Sequence, residues 1–436
     1  ARVTGNAAGV ASVYRRALGA CEAPTWRERS KLLALLLDSM PGIPAKVALW
    51  RTMFSELGAA DPLYRSIVAR VKTPAEAREL HDALGLQTID PGILEKLLKE
   101  AKSPVDRAAK LRALALVWPD DFTLALRLLD ALEDADDDGG VRALARQLRA
   151  RSDADARIRT AVGELYLRLG ARAATPSLKA ADEIEARRAF GEIVEFSPDD
   201  PIARRRLGDL LRAHGFYADA ARQYETLARL APDDAGVPLL LAAAAEGLGK
   251  LEEAVKWTEK GGAAGAPDTE QGSARTARAF AATYLAWGRL SAIEGGRAEE
   301  AKALGARLAR VLSTERSSNA ALRGTRVALT WAHPELHPTL WSNALGSPMP
   351  APEGDVTLGV AEVLVPKREG AFVEVRLEPS DSEHAARLGA TATLTVVFDE
   401  GGEGEKIVRI PVKFSKGSAP TLRFSLSGSE VREVKP

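Results

Sequence analysis

The sequence predicts a multidomain protein in which an all-α array of stacked helical hairpins, an α-solenoid, is followed by an all-β, antiparallel β-sandwich. Over residues 1–312, apolar residues recur at helical spacing in segments separated by short Gly, Pro or Asp turns. Beyond about residue 323 the pattern changes to apolar–polar alternation with many β-branched residues, which favours strands. The tripeptide Pro-Asp-Asp occurs three times in the helical part, each time after an amphipathic segment.

The Pro-Asp-Asp turns set the period of the helical part. Proline cannot continue the preceding helix, and an aspartate can cap the next one. Pro198 precedes Pro232 by 34 residues. Between them, Gly208 lies where the first helix is approached closely, and Gly215 makes the turn. A hairpin of this kind buries its apolar faces only by stacking on neighbours, so a repeat array is expected.

Residues 199–234 resemble the tetratricopeptide (TPR) family. The matching positions are Leu207, Gly208, Ala220, Tyr224 and Pro232. The resemblance is clear over residues 153–260, and it implies a TPR-like α-solenoid that serves as a protein-interaction scaffold. Arg204 stands where the family usually has an aromatic residue.

The predicted organisation has four parts. Residues 1–152 form degenerate TPR-like hairpins, and residues 153–312 form TPR repeats with a capping hairpin. Residues 313–322 are a linker, and residues 323–436 form the β-sandwich. Within the second part, the distance from Gly163 to Ala186 exceeds the repeat's spacing, so an inserted loop is expected at 171–181.

The C-terminal part is similar to a β-sandwich module found at the end of certain bacterial proteins. The residues that carry this likeness are RVALTW at 326–331, Leu340-Trp341 and the paired segments TATLTVVF and KIVRIPVKF. Those proteins combine a vault-type inter-α-trypsin (VIT) domain, a von Willebrand A domain and TPR repeats. The resemblance implies that partners include a von Willebrand A-type domain or an associated ATPase.

Composition excludes several classes of function. The 60 basic and 60 acidic residues cancel, which argues against nucleic acid as the main partner. The single cysteine, Cys21, excludes an internal disulfide framework. No stretch is long and apolar enough to suggest a membrane span. The Ala- and Arg-rich composition suggests a bacterial source, and the compartment stays open between cytoplasmic and exported after removal of a signal.

Motifs for catalysis or cofactor binding do not stand out, so we expect no enzyme activity and no cofactor. His333 and His337 are four residues apart, but Pro334 and Pro338 make a helical zinc pair improbable, and a loop is expected there. His214 is interpreted as an isolated surface or packing residue. An unrecognised hydrolase is the least favoured reading.

A recognition surface on the first helices is therefore the predicted site. In stacked TPR hairpins these helices line the ligand groove, which makes the candidate partner-binding residues Arg157, Thr160, Glu164, Arg168, Arg205, Asp209 and Arg212. Arginine clamps carboxylates with paired hydrogen bonds, so a protein or peptide with acidic groups is the expected ligand. The alternative is that these arginines only solvate the face and pair with its acidic residues.

Two functions follow from these observations. The first is a non-catalytic scaffold or adaptor that binds a protein or peptide in the groove, with the β-sandwich used for docking. The second is an accessory cell-surface protein whose sandwich binds carbohydrate through Trp331 or Trp341. The second needs exposed aromatic rings.

Overall fold

The computed structural model confirms the predicted fold class, with helices followed by antiparallel sheets. It describes residues 7–20, 26–57, 61–151, 155–195, 197–234, 236–263, 271–316, 324–343, 349–350, 359–367, 369–377, 391–400, 404–414 and 421–434. Cys21 lies outside the described residues, as do parts of the predicted linker. The chain divides into two compact units, residues 1–162 and 163–436, and the division falls within one helix. The predicted four-part organisation stays a prediction.

In the described residues of the first unit, all regular secondary structure is α-helix. Its helices are α1 (Ala7–Gly19), α2 (Trp26–Ser39), α3 (Gly42–Leu57), α4 (Asp61–Val68), α5 (Pro74–Leu84), α6 (Pro91–Lys99), α7 (Pro104–Ala115), α8 (Phe122–Asp134), α9 (Asp138–Arg149) and the start of α10 (Ala156–Arg172). Thr73, Asp90 and Ser103 cap the helices that follow them, each with proline at the first helical position. These caps satisfy backbone N–H groups that the first helical turn leaves free.

The second unit continues with helical hairpins. After α10 come α11 (Pro176–Gly191), α12 (Pro201–Ala213), α13 (Tyr217–Leu230), α14 (Gly236–Gly247), α15 (Leu251–Ala263), α16 (Gln271–Glu294) and α17 (Ala298–Arg316). The Pro-Asp-Asp turns act as predicted, because Asp121, Asp200 and Asp234 each accept a hydrogen bond from a backbone N–H at the start of the next helix. Gly215 turns the chain with φ +80°.

Close helix packing occurs at the predicted glycines. A Cβ atom at Gly208 would lie 2.4 Å from the Tyr224 ring, and one at Gly163 would lie 2.3 Å from the Phe190 ring. Both rings are fully buried. In both of these hairpins, therefore, an aromatic ring of the second helix packs directly on a glycine of the first helix.

The predicted insertion at 171–181 is not a loop in the structure. Helix α10 continues to Arg172 and α11 already begins at Pro176, with Thr175 as its N-cap. The extra residues lengthen the two helices, to 17 and 16 residues, and leave a short turn between them. Ala171 and Arg172 continue α10, and Thr175-Pro176 supplies the cap and the first-turn proline with which α11 begins.

The C-terminal part forms two antiparallel sheets. Their strands are β1 (Gly324–Trp331), β2 (Thr339–Ser342), β3 (Met349–Pro350), β4 (Val360–Pro366), β5 (Ala371–Arg376), β6 (Thr391–Phe398), β7 (Lys406–Lys413), β8 (Thr421–Ser427) and β9 (Glu430–Val434). The strand orders are β4-β1-β6-β7 and β3-β2-β5-β8-β9. One apolar core draws side chains from both sheets, among them Val327, Leu394, Val375 and Phe424. The predicted hairpin of β6 and β7 is confirmed, with Leu394 opposite Ile410.

No helix among the described residues combines the length and the hydropathy that a membrane span requires.

Candidate functional site

We call the two sheets and their loops, residues 324–434, the β-domain. Within the second unit, the β-domain contacts the first helix of each hairpin. We call the surface made by α10, α12, α14 and α16 the first-helix face. Ion pairs and hydrogen bonds join it to the strands and loops of residues 324–434, and they are Arg206–Glu335, Arg289–Glu405, Glu246–Arg409, Thr283–Arg326 and Glu164–His333. Helix α16 also packs on β4 and β7. The face that lines the ligand groove in TPR arrays is thus contacted here by the chain's own β-domain.

The most buried of these contacts is a cluster of three side chains from distant parts of the chain. Glu164 lies on α10, His214 is the residue after α12, and His333 lies in the loop after β1. His333 Nε2 is 2.6 Å from Glu164 Oε1, and His214 Nε2 is 3.8 Å from the same oxygen. The side chains of Glu164 and His333 are 2% exposed, and that of His214 is 15% exposed.

A turn fixes the orientation of His333. The Leu336 N–H donates to the His333 carbonyl at 3.2 Å, and the Glu335 N–H donates to His333 Nδ1 at 3.2 Å. Because Nδ1 accepts a hydrogen bond, the ring proton is assigned to Nε2, which donates it to Glu164. The short proline-flanked loop thereby presents one imidazole N–H to a carboxylate on α10.

His214 is held between two rings. It stacks on Phe190 with centroids 5.5 Å apart and planes at 10°, and it meets His333 edge-on at 6.0 Å. Phe190 is itself positioned by Gly163, one residue before Glu164. His214 Nε2 is buried and has no hydrogen-bond partner among the described residues. A buried nitrogen left unpaired is unusual enough to need an explanation.

The electrostatics favour a charged Glu164. Burial by itself raises the pKa of this carboxyl, but the electrostatic interaction with the His214 and His333 imidazoles outweighs burial and brings the pKa to about 2. Glu164 is therefore a carboxylate at neutral pH, buried against two imidazoles.

A second buried network lies further along α12. The Tyr224 hydroxyl donates to Asp209 Oδ1 at 2.6 Å, and Arg212 Nε donates to the Tyr224 oxygen at 3.2 Å. Arg205 Nε is 3.6 Å from Asp209 Oδ2. Burial raises the pKa of Asp209 against the lowering effect of the two arginines, and burial also raises the pKa of Tyr224. Arg205 and Arg212 thus both pair with Asp209 on the same face. This matches the alternative in which the arginines pair with acidic residues of their own face.

The predicted contact residues are placed very differently from one another. Arg157 is 77% exposed and pairs with Asp155 at 3.0 Å. Thr160 is buried and its hydroxyl donates to the Ala156 carbonyl. Arg168 is half-buried. Glu164 faces two imidazoles and not solvent, which corrects the expectation that it contacts a ligand in an open groove.

His214 and His333 were missed as a pair by sequence reasoning. The sequence indicates an isolated residue at His214, and for His333 it suggests a metal pair only with His337, its neighbour in sequence. His337 is exposed, whereas His333 points to the helices. No local motif links positions 164, 214 and 333, because the β-domain must dock before they meet.

The two tryptophans differ in exposure. Trp331 is 5% exposed and belongs to the core of the β-domain, so the prediction that it stacks on a sugar is wrong. Trp341 is half-buried, and the guanidinium of Arg376 lies 3.9 Å from the centroid of its ring. Its role in carbohydrate binding stays a prediction.

Comparison with known proteins gives no family model that matches and no matching curated protein. Among solved structures, a MamA crystal structure is 17% identical, with 39% of this chain and 85% of that chain covered at a TM-score of 0.26. MamA from Desulfovibrio magneticus RS-1 is 18% identical, with 52% and 93% covered at 0.24. Pseudomonas aeruginosa PilF is 17% identical, with 57% and 98% covered at 0.26. TM-scores this low carry no argument, and the TPR-like description rests on the hairpins themselves.

Proposed function

We propose that this protein is a non-catalytic scaffold in which the helical array holds the β-domain and a protein partner binds the surface that remains open. The observation that carries the proposal is the contact between the β-domain and the first-helix face. That face meets the β-domain along four successive first helices, from Glu164 on α10 to Arg289 on α16.

The charges of the face support docking of the β-domain over capture of a free acidic peptide. Arg206 and Arg289 are matched by Glu335 and Glu405 of the β-domain. Arg205 and Arg212 are matched by Asp209. An acidic peptide would have to displace these carboxylates, and separating a charge from its partner is costly where the side chain is nearly buried, as for Asp209 and Glu405.

Arg157 is the predicted contact residue that is most accessible to an external partner. Its guanidinium pairs with Asp155, two residues away, and such exposed pairs contribute little. A carboxylate on a partner protein can replace Asp155 at small cost. The likeness of the C-terminal part to modules of VIT and von Willebrand A-domain proteins makes an A-type domain or an associated ATPase the proposed partner class.

Cross-linking mass spectrometry in the native host tests the scaffold proposal. The full chain is compared with Arg157→Glu and with a matched control, Arg432→Glu, whose side chain is 76% exposed on β9. We expect specific cross-links to a partner near α10 that Arg157→Glu removes and Arg432→Glu keeps. An unchanged set of cross-links in Arg157→Glu would exclude this surface.

A substrate screen tests the non-catalytic part of the proposal. The full chain is assayed against generic esters, peptides and phosphate esters, and no turnover above a heat-treated sample is expected. Hydrolysis of one of these substrates that a single substitution abolishes without unfolding the protein would contradict the scaffold hypothesis and favour a hydrolase.

A further inference from the structure

The buried cluster of Glu164, His214 and His333 has the composition of a metal site. Two imidazoles and one carboxylate offer three donor atoms that all lie within 4.8 Å of one another. Nitrogen donors of this kind suit Zn²⁺ and its neighbours in the first transition row, whereas Mg²⁺ and Ca²⁺ prefer oxygen donors. The sequence predicts no metal site, and of these three residues only Glu164 is among the predicted contact residues.

The unpaired nitrogen of His214 is the second observation. Its Nε2 is buried, points towards Glu164 Oε1 from 3.8 Å, and has no hydrogen-bond partner among the described residues. A proton on this nitrogen would make no short bond in this arrangement. A metal ion between the three side chains would occupy its lone pair.

The geometry needs only a modest adjustment. Donor atoms around a tetrahedral ion with bonds of about 2.0–2.1 Å lie about 3.3 Å apart. The observed separation of 2.6 Å between His333 and Glu164 has to open, and that of 3.8 Å between His214 and Glu164 has to close. Both rings are already oriented by packing, His214 by Phe190 and His333 by its turn. The partial exposure of His214 provides the side from which an ion can enter.

Two hydrogen bonds of His333 compete with metal binding. His333 Nε2 now donates a proton to Glu164, and Nδ1 accepts from the Glu335 N–H. Coordination through Nε2 displaces that proton and places the ring proton on Nδ1, so the 3.2 Å bond from Glu335 is lost. The ion thus has to replace one short hydrogen bond and one long one.

We propose that Glu164, His214 and His333 bind a divalent first-row transition metal ion, with Zn²⁺ as the reference ion, and that this ion joins helices α10 and α12 to the loop after β1. Three protein ligands leave a fourth position for water. Because the ligands come from the helices and from the β-domain, the ion stabilises their docking.

Cobalt substitution tests the site directly. The full chain, without a polyhistidine tag and with Cys21→Ser to remove the one thiol, is stripped with a chelator and titrated with Co²⁺. We expect the visible absorption bands of tetrahedral Co²⁺ to saturate at one equivalent per chain. Zn²⁺ should abolish the bands, and excess Mg²⁺ should not.

Variants assign the ligands. His214→Ala and Glu164→Gln should weaken Co²⁺ binding at least tenfold, while His337→Ala, which removes a histidine from the same loop, should leave it unchanged. His214 is the least buried ligand, so its variant carries the test if the other unfolds. Zn²⁺ should also raise the melting temperature of the parent chain and leave that of His214→Ala unchanged.

The outcomes separate a metal site from a hydrogen-bonded contact. Saturable bands that His214→Ala removes support the proposal. A folded parent chain that shows no bands at one equivalent, or bands that persist in His214→Ala, would overturn it and leave Glu164 and His333 as a hydrogen-bonded pair only.

Discussion

The packing of Gly208 against Tyr224 leads to a quantitative prediction. A methyl group at position 208 would lie 2.4 Å from Tyr224 Cε1 and 2.9 Å from Cδ1. The ring cannot retreat easily, because it is fully buried and its hydroxyl is fixed by Asp209 and Arg212. Overpacking of this kind costs about 1–3 kcal/mol. Alanine recovers about 0.5–1 kcal/mol of helix propensity. We therefore expect Gly208→Ala to destabilise the α12–α13 hairpin by up to about 2.5 kcal/mol, since the difference of those two ranges is about 0–2.5 kcal/mol.

Hydrogen exchange measured by mass spectrometry on peptides from α12 and α13 is the suitable assay, since it reports the opening free energy of this hairpin and not of the whole chain. Gly191→Ala is the matched control. Gly191 also lies in a helix of the second unit, and a Cβ atom there would meet nothing within 4 Å. That change should be neutral, or stabilising by up to about 1 kcal/mol.

A double variant isolates the steric cause. In a Tyr224→Leu background the methyl group at position 208 no longer meets the ring, so the cost of Gly208→Ala should largely disappear. The reasoning fails if Gly208→Ala protects the hairpin as well as Gly191→Ala does. It also fails if the cost is the same with and without the tyrosine ring.

Three further predictions concern charged side chains of the β-domain. Burial raises the pKa of Glu374, but hydrogen bonds from its two arginines outweigh that and hold its pKa below the usual 4.5. Glu374→Gln should therefore lower the free energy of unfolding, measured in urea at pH 7, by about 1.5–3 kcal/mol. This loss should become smaller as the pH falls below about 4.5. As a control, Glu430→Gln on the exposed surface should change the free energy of unfolding by less than about 0.5 kcal/mol. Arg326→Lys should cost about 1–3 kcal/mol, because lysine cannot reproduce the paired bonds to the β-domain and to α16; a variant with parental thermal stability would contradict this. Arg409→Glu or Glu246→Arg alone should increase proteolysis between the helices and the β-domain, and the double exchange should restore protection if their 2.5 Å contact supports docking.

Local signals explain why the helical part could be predicted. Proline at the first turn and an Asp, Thr or Ser cap act within three residues, so Thr73, Asp121 and Asp200 could be assigned without tertiary information. The position of Gly208 against Tyr224 also follows from a fixed spacing within one hairpin. The same holds for the alternation in β6 and β7, whose hairpin sets its own register.

Lengths and short strands could not be predicted equally well. The residues expected as a loop at 171–181 extend α10 and begin α11, because Thr175-Pro176 starts a new helix within that stretch. Strand β2 has only four residues and β3 only two. Strands this short carry too little alternation to be recognised, and they form because β5 offers a pairing edge to β2, which in turn pairs with β3.

The face between helices and β-domain depends on contacts that have no local signature. Glu164, His214 and His333 are separated by long stretches of chain, and each one alone looks like an ordinary packing residue. Sequence reasoning assigned the first-helix face to an external ligand because a repeat array normally leaves it open. The sequence does not show that the β-domain covers this face, because charge pairs such as Arg206–Glu335 can be identified only once both domains are folded and in contact.

Docking of the β-domain should respond to salt in two steps, because its charged contacts differ in burial. Arg206–Glu335 and Glu246–Arg409 keep side-chain exposures between 19% and 30%, so added salt screens them. The Arg326 side chain is only 4% exposed where it donates to Thr283 of α16, and salt reaches it poorly. High salt should therefore loosen the rim of the interface while its centre, where Arg326 donates to Thr283 of α16, persists. The β-domain then behaves as a resident part of the helical array, and an external partner is left with the surfaces that the array does not use for it.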